Sequence, residues 1–360
     1  MKTNVEPQTN QEQDQGPKNN FLVKHWRVGW ILALLLLIAF VVTITLLILN
    51  AKSPGNSVSA VETEADQEVL PTEAIAGTEE PQPAPAVTEA PVTEDQTSSD
   101  TRVSDIDGME QVFVPAGEFL MGTNDIEAKR EIGDGRAYPE IPQFTYFLDD
   151  FWIDKYEVTN AQYHACIEAG ACTEPHRVGS YTYPDYFTNP VYDNYPVVWV
   201  SWFQANDYCE WAGRRLPTEA EWEKAARGTE GLKYPWGNDP YTPDKANICD
   251  VNCTRTHRLE DYDDGYPDLA PVGSFPAGIS PYGALDMAGN AWEWNSTEIQ
   301  PYPYDANDGR EDPGGIDVER GWRGSSWANG LWWLRSSVRY HALDFYSWYV
   351  LGIRCAADAN

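Results

Sequence analysis

Apolar positions are unevenly distributed along the chain. Val28 to Leu49 is an uninterrupted apolar run apart from Gly29, Thr43 and Thr45. As a helix it would be about 33 Å long, enough for a bilayer core. The run and its polar leader, residues 1–27, are both long. That favours an uncleaved signal anchor over a cleaved signal peptide. Lys2, Lys18, Lys24 and Arg27 precede the span, and the sequence after Lys52 is acidic. The positive-inside bias therefore predicts a cell-membrane protein with a single pass, a cytoplasmic N-terminus and an extracytoplasmic C-terminal domain.

Residues 50–108 lose the apolar pattern and are rich in Pro, Thr, Ala and Glu. They carry too few apolar groups to offset ordering entropy, which predicts a disordered, self-repelling tether. From residue 109 to 360 the pattern becomes globular. Val112 to Gly122 predicts two short strands around a turn, and Phe151 to Asn160 predicts a strand entering a helix. Thr159…Gln162, Ser201…Gln204 and Thr218…Glu221 have capping-box spacing, with Gly170, Gly213 and Gly228 where those helices should stop. Trp222 and Ala225 fall on the inward face of the third helix, so its segment is explained by structure alone. No fixed-period repeat is present. Short helices between loops predict an α+β domain with much irregular structure.

Charge and cysteine usage narrow the class. The net charge of −31 leaves no basic surface for phosphates, so nucleic acid is not an expected partner. The cysteines are Cys166, Cys172, Cys209, Cys249, Cys253 and Cys355. All follow the apolar run, which favours disulfides in an oxidising compartment over zinc. Spacing suggests the local pairs Cys166–Cys172 and Cys249–Cys253, but does not choose among the pairings. The five histidines, His25, His164, His176, His257 and His341, are scattered and form no ligand pattern. Asn295-Ser296-Thr297 matches a glycosylation sequon.

Several motifs occur in a fixed order: Val114 to Gly122, Tyr156 to Asn160, Pro196 to Trp202, Gly213 to Glu223, Pro235-Trp236-Gly237, Tyr282 to Trp294, and Arg320 to Tyr340 followed by Leu351-Gly352-Ile353-Arg354-Cys355. Together they resemble the formylglycine-generating enzyme, or sulfatase-modifying-factor, family over roughly residues 108–358. The resemblance implies a loop-rich, C-type-lectin-like fold and supports the long link Cys209–Cys355. It also implies an oxidation of a substrate cysteine by O2 on copper(I) held by two thiolates. Aligned on the Gly-Ser-Ser-Trp segment, those positions are Asn329 and Leu334. Copper(I) is soft and prefers thiolates, so copper is not expected here. Trp292 and Ser326 keep substrate-groove-like positions.

The resemblance further implies two calcium sites. One matches Asn247, the carbonyl of Ile248, Asp264 and the carbonyl of Tyr266. The other matches Asp286, Gly289, Ala291 and Glu293, where Asp286 stands in place of Asn. Hard cations take six to eight oxygens from carboxylates and main-chain carbonyls, which suits such loops. Trp327, Trp332, Trp333, Tyr340, Phe345, Tyr346, Trp348 and Tyr349 crowd the former copper region. Aromatics of this kind favour peptide or sugar faces when exposed and pack as core otherwise.

The expected function is a membrane-anchored pseudoenzyme. It would bind a peptide or glycan in a groove of Trp292, Ser326, Trp327, Asn329, Trp332 and Trp333. The alternatives are a formylglycine-generating oxidase or related oxidative enzyme using other ligands, and an assembly protein whose tether matters more than its groove.

Overall fold

A computed structural model describes residues 100–125, 137–312 and 314–359. The predicted cytoplasmic segment, apolar span and most of the predicted tether lie outside the described residues. Among the described residues no helix is long and apolar enough to cross a membrane. The tether ends sooner than expected. Strand β1, Thr101–Val103, pairs antiparallel with β2, Glu110–Val114. Between them Asp107 is tied to the buried Arg214 and, at 2.6 Å, to the Tyr208 hydroxyl. Its charge hid the order of this segment, because Asp107 finds its partner Arg214 far along the chain.

The described chain is mixed α/β and loop-rich. A four-stranded sheet has the order β1-β2-β6-β11, where β6 is Phe151–Asp154 and β11 is Ala356–Asp358. The C-terminal strand thus closes on the start of the domain. A two-stranded sheet joins β3, Gly117–Met121, to β5, Phe144–Leu148. The two strands expected around the Pro115 turn both form, but they do not pair with each other. β2 pairs with β6, while β3 turns away to β5.

A five-stranded sheet has the order β10-β7-β8-β9-β4. Its members are β4 (Ala137–Tyr138), β7 (Trp292–Glu298), β8 (Glu319–Arg323), β9 (Arg339–Leu343) and β10 (Leu351–Gly352). Asn295 of the sequon lies in the centre of β7, fully buried, so the motif is no surface acceptor in the folded domain.

The three helices start where the capping boxes predict. They are α1, Asn160–Glu168, α2, Trp202–Trp211, and α3, Glu219–Arg227. In each the Thr or Ser hydroxyl accepts the N3 amide, and the Gln or Glu side chain returns to the cap amide. Gly170, Gly213 and Gly228 all take positive φ at the helix ends, as a left-handed cap requires. The disulfides are Cys166–Cys172, Cys209–Cys355 and Cys249–Cys253, leaving no free cysteine.

Helix α3 carries more than its period suggests. All nine of its residues are buried, including Glu219 and Glu223. Glu219 accepts two hydrogen bonds of 2.7 Å from Arg339 of β9, and Arg323 of β8 lies 3.1 Å away. Glu223 accepts from Arg323 at 2.8 Å, from Arg227 at 2.9 Å and from the Gly122 amide at 2.7 Å. Burial opposes the Glu219 charge, yet Arg339 and Arg323 hold its carboxyl below the usual range.

Removing one partner of such a pair strands a buried charge. Arg339→Met should lower unfolding free energy by about 3–5 kcal/mol, measured by denaturant titration; a loss under about 1 kcal/mol would show that the pair is dispensable. Cys209→Ser/Cys355→Ser opens a link of sequence separation 146. In the chain-entropy model it should cost about 5 kcal/mol, read as a lower denaturant midpoint than the parent's.

Candidate functional site

The segment Gly324–Leu334 follows β8 and crosses the edge of the five-stranded sheet. Gly324 and Ser325 both take positive φ, turning the chain sharply. A Cβ at Gly324 would lie 3.2 Å from the Trp222 ring, so the turn packs on α3 without room for a side chain. The turn delivers Ser326 and Asn329 to the Trp292 ring of β7. The Asn329 side-chain oxygen accepts from Trp292 Nε1 at 3.0 Å and from Ser326 Oγ at 2.7 Å. The Asn329 carbonyl accepts the Cys249 amide at 2.9 Å, fastening the neighbouring loop.

Leu334 ends elsewhere. It is fully buried in an apolar cluster with Tyr241, Ala246, Ile248 and Ala288. The two positions aligned with copper ligands thus present an amide oxygen already bonded to two donors and an alkyl group inside the core. Neither is a soft donor, and all six cysteines are bridged. The residues present do not fit copper(I).

The expected groove is shallower than its residue set implied. Trp292, Ser326 and Trp327 are buried. Trp292 is stacked on Tyr340 with centroids 5.4 Å apart, and it meets Trp333 edge-on. These three form the backing of the site, not its surface. Asn329, Trp332 and Trp333 remain half-buried. Trp332 lies against the Arg335 guanidinium, 4.3 Å from its centroid, and Arg335 is itself clamped by Glu140 at 2.6 and 2.9 Å. Of the neighbouring aromatics, Tyr340 and Tyr349 are buried, Tyr346 and Trp348 half-buried, and Phe345 exposed.

Sequence reasoning set aside His257 as scattered. In the fold its Nε2 sits 3.0 Å from the Ala328 carbonyl, beside Asn329. It arrives there on the segment that follows the Cys249–Cys253 disulfide, a placement that no spacing along the chain encodes.

The first oxygen-rich loop brings its expected residues together. The Asn247 side-chain nitrogen donates to the Asp268 carbonyl and to Asn290 Oδ1, both at 3.0 Å. Its Oδ1 is buried with no hydrogen-bond partner. Asp264 accepts the amides of Ile248 and Tyr266 at 2.8 and 2.9 Å, and burial pushes its carboxyl up to about 7. Asp250 adjoins it, accepting the Asp264 amide. An unpartnered amide oxygen beside two carboxylates is a donor set that suits a hard cation.

The second set lies under Glu157. Burial, then Asp286 and Glu293, push the Glu157 carboxyl well above its ordinary value; burial brings Asp286 up to about 6. One guanidinium, Arg354, faces these three carboxylates. Glu293 gives its oxygens to Arg354 at 2.7 and 2.9 Å and to Trp222 Nε1 at 2.5 Å. A cation here would draw on Asp286 and the carbonyls of Gly289 and Ala291, with Glu293 at its edge. A Cβ at Gly289 would come within 2.3 Å of the Asn247 carbonyl, so only glycine fits between the two loops. Among the described residues no group of three or more His, Cys, Asp or Glu is arranged to hold a metal. Either set would be completed by main-chain oxygens.

Known proteins place this architecture. A family described as sulfatase-modifying factor enzyme 1-like domain matches residues 96–359. The formylglycine-generating enzyme of Thermomonospora curvata is 38% identical over 221 residues, covering 51% of this chain and 69% of that protein. The inactive C-alpha-formylglycine-generating enzyme 2 of Mus musculus is 33% identical, covering 53% and 69%. The solved structure of PvdO from Pseudomonas aeruginosa aligns with a TM-score of 0.56 at 25% identity, over 73% of this chain and all of that one. The relatives thus include both active and inactive formylglycine-generating enzymes, and the chain belongs to the sulfatase-modifying factor enzyme 1-like family.

Proposed function

We propose that this protein is a non-catalytic binding module on the formylglycine-generating scaffold, tethered outside the cell membrane by residues 28–49. Its ligand is an extended peptide or glycan lying over Asn329, Trp332 and Trp333. One observation carries the reading. The Asn329 amide oxygen is held by Trp292 and Ser326 where a thiolate would have to stand, and Leu334 is sealed in the core. Two half-exposed indoles beside that amide offer flat apolar area at low entropic cost. The name of the inactive mouse relative agrees with loss of oxidation on this scaffold.

We further propose calcium as a structural ion at Asn247, Ile248, Asp264 and Tyr266, and at Asp286, Gly289, Ala291 and Glu293. Bound there, it would supply positive charge to carboxylates that burial otherwise forces toward protonation. This chain's own residues contribute the amide oxygen of Asn247 and the carboxylate of Asp264, held in place by the Ile248 and Tyr266 amides.

Incubated with copper and a cysteine-containing peptide, the folded domain should form no aldehyde detectable by mass; aldehyde formation would overturn the reading. On peptide and glycan arrays, ligands should be found whose binding weakens by more than about 1 kcal/mol, roughly fivefold, on Trp332→Ala. An empty array, or ligands indifferent to that change, would also sink it. A chelator should lower the melting temperature, and calcium at about 100 times its Kd should return about 2.7 kcal/mol. Asp264→Asn should abolish that return. A melting temperature unmoved by chelator would remove calcium from the description.

A further inference from the structure

The segment that follows the Cys249–Cys253 disulfide carries Arg255 onto an aromatic cage. Its guanidinium carbon lies 4.8 Å from the Tyr181 ring centroid, 5.1 Å from Tyr349 and 5.7 Å from Trp327. The rings also touch one another: Tyr181 is 5.2 Å from Tyr349 and 5.6 Å from Trp327. The loop is pinned at both ends. The Cys249 amide donates to Asn329, the Leu259 amide to Cys249, and His257 meets the Ala328 carbonyl. Arg255 is therefore held in place and not draped over the surface.

Aromatic faces, and not a carboxylate, hold this guanidinium. Despite a net charge of −31, no ion pair joins Arg255 to a carboxylate among the described residues. Its Nε is buried with no acceptor. Trp327, fully buried in the same cage, has an indole N–H that also lacks one. Each buried donor left unpaired costs on the order of 1–3 kcal/mol. Those two donors are closed to solvent, so an acceptor from outside would meet the Arg255 Nη1 and Nη2 groups, which are not shut away with Nε and bond no described residue.

Tyr181 is 49% exposed. Trp199 contacts Tyr349 at 6.0 Å and carries Arg177 over its other neighbourhood at 4.9 Å. Trp199 has φ of 65°, a left-handed conformation that a bulky residue rarely adopts. Bonds from its amide to the Trp348 carbonyl and from its indole to the Gly179 carbonyl hold it there. Strain of this kind persists where the surroundings over-determine it, and it collects at binding sites.

We infer that Tyr181, Trp199, Tyr349 and Arg255 form a subsite for an acidic saccharide, a pyranose ring carrying a carboxylate or a sulfate. A guanidinium fork matches a planar oxyanion through paired N–H bonds. The axial C–H face of a pyranose suits an exposed tyrosine ring. In an acidic sugar the anion is fixed rigidly beside that face, and Arg255 lies over the Tyr181 ring, 4.8 Å from its centroid, while the ring stays 49% exposed. An aspartate or glutamate side chain has no such face. Recognition is short-range, because the chain's own negative field repels polyanions and is screened beyond about 8 Å at physiological salt. The assignment rests on the proposed binding function and names its ligand class.

Calorimetric titration of the folded domain tests it with five probes: an oligogalacturonide, a sulfated galactan oligomer, a neutral galactan oligomer, a glutamate-rich peptide and inorganic sulfate. One or both acidic saccharides should bind at least tenfold more tightly than the neutral one. Arg255→Gln and Tyr181→Ala should each weaken that binding at least tenfold, with Arg255→Lys intermediate. Tyr181 is half-exposed, so its variant tests the site even if Arg255→Gln fails to fold. Preference for the peptide, sulfate binding as tightly as the sugars, or saccharide binding indifferent to both substitutions would overturn the assignment. Loss on Trp332→Ala without loss on Arg255→Gln would leave the binding function standing and remove this subsite. The converse pattern would overturn the ligand position proposed over Trp332 while keeping saccharide binding at the Arg255 cage.

Discussion

The Glu219 carboxylate, shut away from water between Arg339 and Arg323, is the contact on which the domain depends. It sits at the first position of α3, so its charge also lies at the positive end of that helix. Through Arg339 and Arg323 it fixes α3 against two strands of the five-stranded sheet. Glu223, one turn on, adds the Gly122 amide and thereby the two-stranded sheet. Three layers are joined by two side chains of a single short helix. The turn at Gly324 begins immediately after Arg323, so the register of the candidate site is set by that ion pair.

The same economy governs the other buried charges. Arg354 stands between Glu293 and the main-chain carbonyls of Asp154 and Leu285. It is followed directly by Cys355, whose disulfide to Cys209 locks β11 onto α2. Burying a guanidinium is tolerated only when its donors are filled, and here they are. Arg255, like Arg320 over Trp202, is held by aromatic faces instead of a carboxylate.

The region aligned with the family's thiol pair is ordinary structure around one polar residue. Asn329 takes hydrogen bonds from Trp292 and Ser326, Leu334 fills a core cluster, and the tryptophans behind them stack on one another. What stays open to solvent is the half-buried rim of Trp332 and Trp333 and the Arg255 cage beyond Trp327. The chemistry offered is that of faces and donors, which suits holding a ligand.

The sequence by itself determined the family, the three helix starts and the loss of the thiol pair. Those features are local: a capping box closes within four residues, and a ligand type is legible at its own position. It also marked Asn247, Asp264, Asp286 and Glu293 through resemblance to the family. It misjudged where order begins, because Asp107 is secured by Arg214, more than a hundred residues away. It overstated the groove, because burial of Trp292, Ser326 and Trp327 depends on what packs over them. It passed over Arg255 and His257, whose positions come from the segment after the Cys249–Cys253 disulfide folding against Ala328 and Trp327. Composition and spacing report what a residue can do. Only the tertiary structure decided which rings face water and which buried donors were left without a partner, since both depend on neighbours distant in sequence.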